Sequence, residues 1–365
     1  MILREIPPAG RLPMLILGMI CLLTAVLAGL SRLAIAVPSF AQHQAASHAA
    51  LIIAGFFGTV ISLERAVALH RFWPYLAPLC AGLGGIALLL PAVSSLSASL
   101  FLLSASIFLA ASVQVYRQMP AVFTLTLLLG AVSLLIGNLL SLLQAGISLS
   151  MPFWMGFLVL TIAGERLELT RFLPPRPQAK KIFIAVLGLI VFAAAGILFH
   201  LPHASQLLAA AWLILALWLF RYDIARHTVK QTGLTRFVAV CLLAAYAWLA
   251  IGALLGLAGA FENGHPWRDG ALHAIFLGFV FSMVIGHAPI IFPAVMRVKI
   301  PYHPFFYLPL AAVQFSLALR VLGNLGDWWS LRQLGGLFNA LSLALFVLTI
   351  LISVRRGALI SRGSS

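Results

Sequence analysis

Residues 46–65 read ASHAALIIAGFFGTVISLER, from Ala46 to Arg65. Between His48 and Glu64 no side chain carries a charge, and apolar and polar residues do not alternate with the period of two that a barrel strand needs. As a helix rising about 1.5 Å per residue, a stretch of this length spans the roughly 30 Å of a bilayer core. In lipid the backbone must satisfy its own hydrogen bonds, which leaves the helix as the structure for this segment.

Runs of the same kind recur along all 365 residues. The chain is 62% hydrophobic and 8% charged, with a mean hydropathy of +1.09. Soluble domains carry about 25% charged residues, so a soluble fold is excluded. The pattern predicts an all-α integral membrane protein, a single polytopic domain over 1–365. Spans are expected near 13–36, 46–69, 75–92, 96–116, 120–144, 151–170, 181–200, 204–221, 235–260, 270–292, 304–322 and 329–353. Pro38, Pro74, Pro91, Pro120, Pro152, Pro174, Pro175, Pro202, Pro266, Pro293, Pro301 and Pro304 fall at or near the proposed ends.

The net charge of +15 belongs to the gaps between spans, so it sets orientation and does not form the solvated basic face that nucleic acid requires. The first segment, alternate loops and the tail hold Arg4, Arg11, Arg65, Arg71, Arg117, Arg166, Arg171, Arg176, Lys180, Lys181, Arg221, Arg226, Lys230, Arg236, Arg297, Lys299, Arg355, Arg356 and Arg362. The opposite side has Arg32, Arg268, Arg320 and Arg332. Of the 23 basic residues, 19 therefore fall on one side, which predicts about 12 helices with both termini cytoplasmic in a cell membrane. Arg4, Arg11 and the small residues Ala34 and Ala36 also resemble a signal peptide. The apolar run is too long for one, and another span follows closely, so the first helix is expected to be retained. Cys21, Cys80 and Cys241 each lie inside an apolar run and imply no disulfide framework.

A pattern repeats in the second, sixth and tenth spans: Gly55-Phe56 precedes Glu64, Gly156-Phe157 precedes Glu165, and Gly278-Phe279 precedes His287, each after seven intervening residues. It points to three pseudo-repeats of four helices, 13–116, 120–221 and 235–353. Chance recurrence of a common apolar pair is the competing explanation.

Ionisable groups in membrane helices are costly and usually face a partner, a cavity or a cofactor, so ten histidines are informative. His43, His48, His200, His203, His265 and His273 are expected toward the outer side, and His70, His227, His287 and His303 toward the inner side. His48 and His273 open the second and tenth spans at matched depth. They are the candidate cofactor ligands, able to take a haem iron from both sides, with aromatic residues below each. The plainer alternative is a pair of interfacial helix caps. Glu262 and Asp269 are the nearest acceptors in sequence for orienting such rings. His200 and His203, three residues apart, are a weak copper candidate if their segment is helical, and Pro202 between them favours a turn. Glu64, Arg65, Glu165, Arg166 and His287 are expected to form an inner polar cluster; snorkelling and local pairing explain such charges without any further role.

Twelve helices with histidines at the outer ends of the second and tenth resemble the catalytic subunit of the haem-copper oxidases, and more closely the NnrS-like membrane proteins. The likeness as residues rests on Ser47-His48-Ala49 through Gly58 and on Leu272-His273 through Val284. It implies a b-type haem held between those two helices, with copper, a redox or nitric-oxide-related role and a redox partner protein. The chain departs from the oxidase pattern at Ala271 and Ile275, where a second histidine of the tenth helix would stand. The outer part of the sixth span, Met151 to Trp154, lacks a copper-binding histidine. An oxygen-reducing binuclear centre is therefore not expected. Two other functions stay open: a transporter or channel along Glu64, Asn138, Gln144, Glu165 and His287, and a sensor or assembly subunit that binds haem without turnover.

Overall fold

A computed structural model of the chain describes residues 5–363 except Leu173 and Pro175. Arg4 and Pro175, counted above, lie outside the described residues, as does the side chain of Arg362. Every regular element among the described residues is helical. Among the described residues, eleven helices are long and apolar enough to cross a membrane, and a twelfth apolar helix is shorter. We label them α1 (Pro8–Ser31), α2 (Ala45–Leu69), α3 (Trp73–Leu89), α4 (Pro91–Gln118), α5 (Val122–Leu142) and α6 (Ile147–Leu169). The series continues with α7 (Pro177–Leu198), α8 (Ala204–Tyr222), α9 (Gly233–Ala260), α10 (Arg268–Met296), α11 (Pro304–Leu325) and α12 (Trp329–Ile360). The short one is α3: its α-helical part, Leu76–Leu89, has 14 residues, roughly 21 Å of rise. Pro91 does not close the third span but opens α4, and Pro152 and Pro293 stand inside α6 and α10.

The chain forms two compact units, Met1–Thr161 with Ala294–Arg297, and Ile162–Pro293 with Val298–Ser365. In the first, α1 packs on α2 and α3, α3 on α4, and α4 on α5. In the second, α7 packs on α8, α8 on α9, α9 on α10, and α11 on α12. Buried serine and threonine hydroxyls turn back on their own helix, as Thr59 does to the Gly55 carbonyl (2.6 Å) and Thr161 to that of Phe157 (2.7 Å). Other polar groups tie neighbouring helices. Asn138 of α5 donates to the Phe101 carbonyl of α4 and accepts from Trp154 Nε1 of α6, both at 2.9 Å. Trp248 of α9 donates to Gln314 of α11 at 2.5 Å, and Gln314 donates on to Ser282 of α10 at 2.8 Å. With no water to compete, each such bond removes a donor and an acceptor from hydrocarbon.

The three Gly-Phe pairs share a packing role. In each, the glycine lets the preceding helix approach and the phenylalanine is buried. A Cβ on Gly55 would lie 3.1 Å from Cys21 of α1, one on Gly156 3.2 Å from Ser133 of α5, and one on Gly278 2.4 Å from Trp248 of α9.

Three spans contain π-helical stretches: Leu51–Phe57 of α2, Ala274–Phe281 of α10, and Gly256–Ala260 at the end of α9, where Gly259 has left-handed backbone (φ 94°). Such stretches are rare, gather at functional sites and rotate the residues beyond them relative to those before.

Candidate functional site

His48 stands three residues before the π stretch of α2, and His273 immediately before that of α10. Both rings are half-buried. His48 belongs to the first unit and His273 to the second.

The hydrogen bonds of the histidines sort them by tautomer. His48 Nδ1 lies 2.6 Å from the Ala25 carbonyl oxygen of α1. His273 Nδ1 lies 2.8 Å from the Asp269 carbonyl, and His287 Nδ1 2.8 Å from that of Met283. A carbonyl only accepts, so Nδ1 carries the proton in all three, and the neutral ring has its lone pair on Nε2. His265 and His303 are the reverse: their Nδ1 atoms accept from the Trp267 and Phe305 backbone N–H groups, both at 3.2 Å. Those two are turn-capping residues of the interfacial kind. His48 and His273 instead carry the Nδ1–H to carbonyl arrangement that orients ligating imidazoles elsewhere.

Around His48 the orienting group is backbone. A Cβ on Gly29 would lie 2.9 Å from Cε1 and 3.1 Å from Nδ1 of the ring, so α1 accommodates the imidazole only because residue 29 is glycine. Around His273 it is a charge network. The Asp269 carboxylate lies 3.4 Å from His273 Nδ1 and accepts from Arg320 at 2.9 and 3.0 Å, while Arg332 Nε stands 3.5 Å away. Asn324 fixes the start of the helix by accepting from the Gly270 N–H (2.7 Å) and donating to the Pro266 carbonyl (2.9 Å). Of the two acceptors nearest in sequence, Asp269 is therefore the one beside the ring, and Glu262 is exposed. The neighbours Arg320 and Arg332 had no signal beyond their place on the sparsely charged side.

His200 and His203 lie in an exposed turn around Pro202, each with left-handed backbone (φ 53° and 60°), and so do not share a helical face. Among the described residues no three of His, Cys, Asp and Glu gather as a metal-binding group. Of the inner residues, Glu64 and Arg65 belong to the first unit and Glu165, Arg166 and His287 to the second. Arg166 is buried and within electrostatic reach of His287, and two residues the sequence did not single out, Asp223 and Tyr246, stand beside it. Asp223 follows an apolar helix and makes an Asx-type turn just ahead of the short helix Ala225–Thr228, its Oδ1 accepting from the Ala225 N–H at 2.7 Å. The turn is local, but the burial of Asp223 is not legible in the sequence. Asn138, a path residue in the transporter reading, spends both ends of its amide on helix packing. Gln144 lies in an exposed turn.

The helices and their apolar surfaces define an all-α, multi-pass membrane protein. Within that class, the chain belongs to the family described as a domain of unknown function (DUF8744), which matches residues 11–355. Among curated proteins, nothing matches it.

Proposed function

We propose that this protein is a haem-binding membrane protein of redox or nitric-oxide-related function, in which His48 and His273 are the axial ligands of a b-type haem. The observation that carries the reading is their shared hydrogen-bonding state: each ring gives its Nδ1 proton to a backbone carbonyl, so the lone pair is on Nε2, and each precedes a π-helical stretch. The donor set suits a haem iron, for which neutral imidazole is a standard ligand. When bound, the haem would supply an iron that exchanges one electron. Ala25 and Gly29 set the plane of the His48 ring. Asp269, held by Arg320, sets that of His273 and raises its basicity. The same reading puts the protein in the cytoplasmic membrane with both termini inside, which the 19 to 4 division of its basic residues supports, and includes a redox partner protein.

The test is the absorption spectrum of protein purified from haem-replete cells. The expected result is a six-coordinate low-spin signature, lost in His48→Ala and in His273→Ala and kept in His227→Ala. Folded wild-type protein without a Soret band would overturn the reading.

A further inference from the structure

A buried group in the second unit is not used by the haem reading. Asp223, just beyond the end of α8, is 1% exposed. Its Oδ1 accepts one hydrogen bond, from the Ala225 N–H at 2.7 Å. Its Oδ2 is buried and faces the hydroxyl of Tyr246 on α9, which is 0% exposed, and neither atom has a partner in good hydrogen-bond geometry. Arg166 of α6, 4% exposed, is the cation in electrostatic reach, yet among the described residues Asp223 forms no ion pair within 4 Å. His287 of α10 is within electrostatic reach of Arg166. From the short helix Ala225–Thr228 only a backbone N–H reaches the carboxylate, while Arg221 and His227 are exposed.

A carboxylate with one well-formed hydrogen bond, a second oxygen that meets only a buried hydroxyl, and no contact ion pair is poorly compensated for the water it has lost. We propose that Asp223 is a proton-uptake site: its Oδ2 takes a proton from water on its own side of the bilayer and holds it beside Tyr246 and Arg166. One O–H bond forms at Oδ2 as one breaks in hydronium, releasing water and leaving Arg166 as the net charge of the group. The direction of the electrostatics agrees. Burial pushes the Asp223 carboxyl above the ordinary carboxylate range, against the opposing pull of Arg166, the Ala225 N–H and Tyr246.

The test is infrared difference spectroscopy of the full chain in nanodiscs, acid minus alkaline, with carboxyl-labelled aspartate. The label separates Asp223 from the glutamates Glu64 and Glu165. The only other aspartates are Asp269, ion-paired to Arg320, and Asp327, which is exposed. The expected result is a labelled carboxylic-acid band titrating above the ordinary aspartate value of about 4. It should be lost in Asp223→Asn and shifted in frequency in Tyr246→Phe. If Asp223→Asn does not fold, the wild-type label decides alone. No labelled band titrating above the ordinary range, or the same band in Asp223→Asn, would make Asp223 a permanently ionised counter-charge and overturn the proposal.

Discussion

The imidazole of His48 rests against the backbone of Gly29, so that a methyl group there would come within 2.9 Å of Cε1. The glycine and the Ala25 carbonyl lie one turn apart on α1 and together fix where the ring can point. Gly29→Ala should push the ring off Ala25, at the cost of about 1–3 kcal/mol typical of overpacking. The expected outcome is a lower melting midpoint and loss of the low-spin haem signal. Gly188→Ala, where nothing lies within 4 Å, should change neither. A Gly29→Ala protein as stable and as red as wild type would show that the contact does not constrain the ring.

Asp269 should matter through charge more than through size. In Asp269→Asn the Arg320 guanidinium, 7% exposed, keeps its place but loses its anion. Breaking a buried pair from one side costs about 3–5 kcal/mol, and removing the group behind a ligating histidine weakens metal binding about 10–100-fold. Thermal unfolding and haem titration of the variant read the two effects separately. Arg332→Met should do less, because its Nε is 3.5 Å from the carboxylate and its side chain is more exposed.

Arg11 is fully buried at the start of α1, where it donates to the carbonyls of Ile6 and Val295 and pairs with Glu5. It thereby joins the chain's first residues to the end of α10 within the first unit. Arg11→Met removes all of these bonds and strands two carbonyls. A stability loss of about 3–5 kcal/mol is expected, measured as heat denaturation in detergent. A change under about 1 kcal/mol, the size of an exposed pair, would mean the network is not buried in the membrane-embedded protein.

Glu5 gives this network a pH dependence. Burial opposes its ionisation, but the His70 contact and the charges of Arg11 and Arg297 outweigh burial and hold the carboxyl below its ordinary value. A carboxyl depressed in the folded state stabilises fully above its unfolded value, and that contribution disappears as pH falls through the lowered one. The wild-type melting midpoint should therefore fall on acidification below the ordinary carboxylate range. The drop should be smaller in Glu5→Gln, and equal acid sensitivity in the two would place the titrating group elsewhere.

The orientation can be tested directly. Reporter fusions at Arg176 and Lys230 are expected to read cytoplasmic and one near His265 external, from the division of basic residues. The reversed pattern at any of the three would overturn the assigned sidedness.

Composition and run length alone determined that this chain is a bundle of membrane helices. Twenty apolar residues without period-two alternation have no other way to satisfy their backbone in lipid, and no later contact can change that. The sequence also singled out His48 and His273, because ionisable side chains are rare in such runs and therefore conspicuous. Tertiary structure decided what those residues touch. Gly29 reads as one more small residue of an apolar helix until α2 lays an imidazole across it. Arg320 and Asp223 read as stray charges until neighbouring helices bury them beside Asp269 and Tyr246. The π-helical stretches of α2 and α10 carry no local signature, since Leu51–Phe57 and Ala274–Phe281 are ordinary apolar residues by composition. Helix formation depends on neighbours within a turn, so it is legible along the chain. The orientation of the His48 ring against Ala25 and the burial of Arg320 beside Asp269 depend on groups of other helices, and only the packing of one helix on another supplies them.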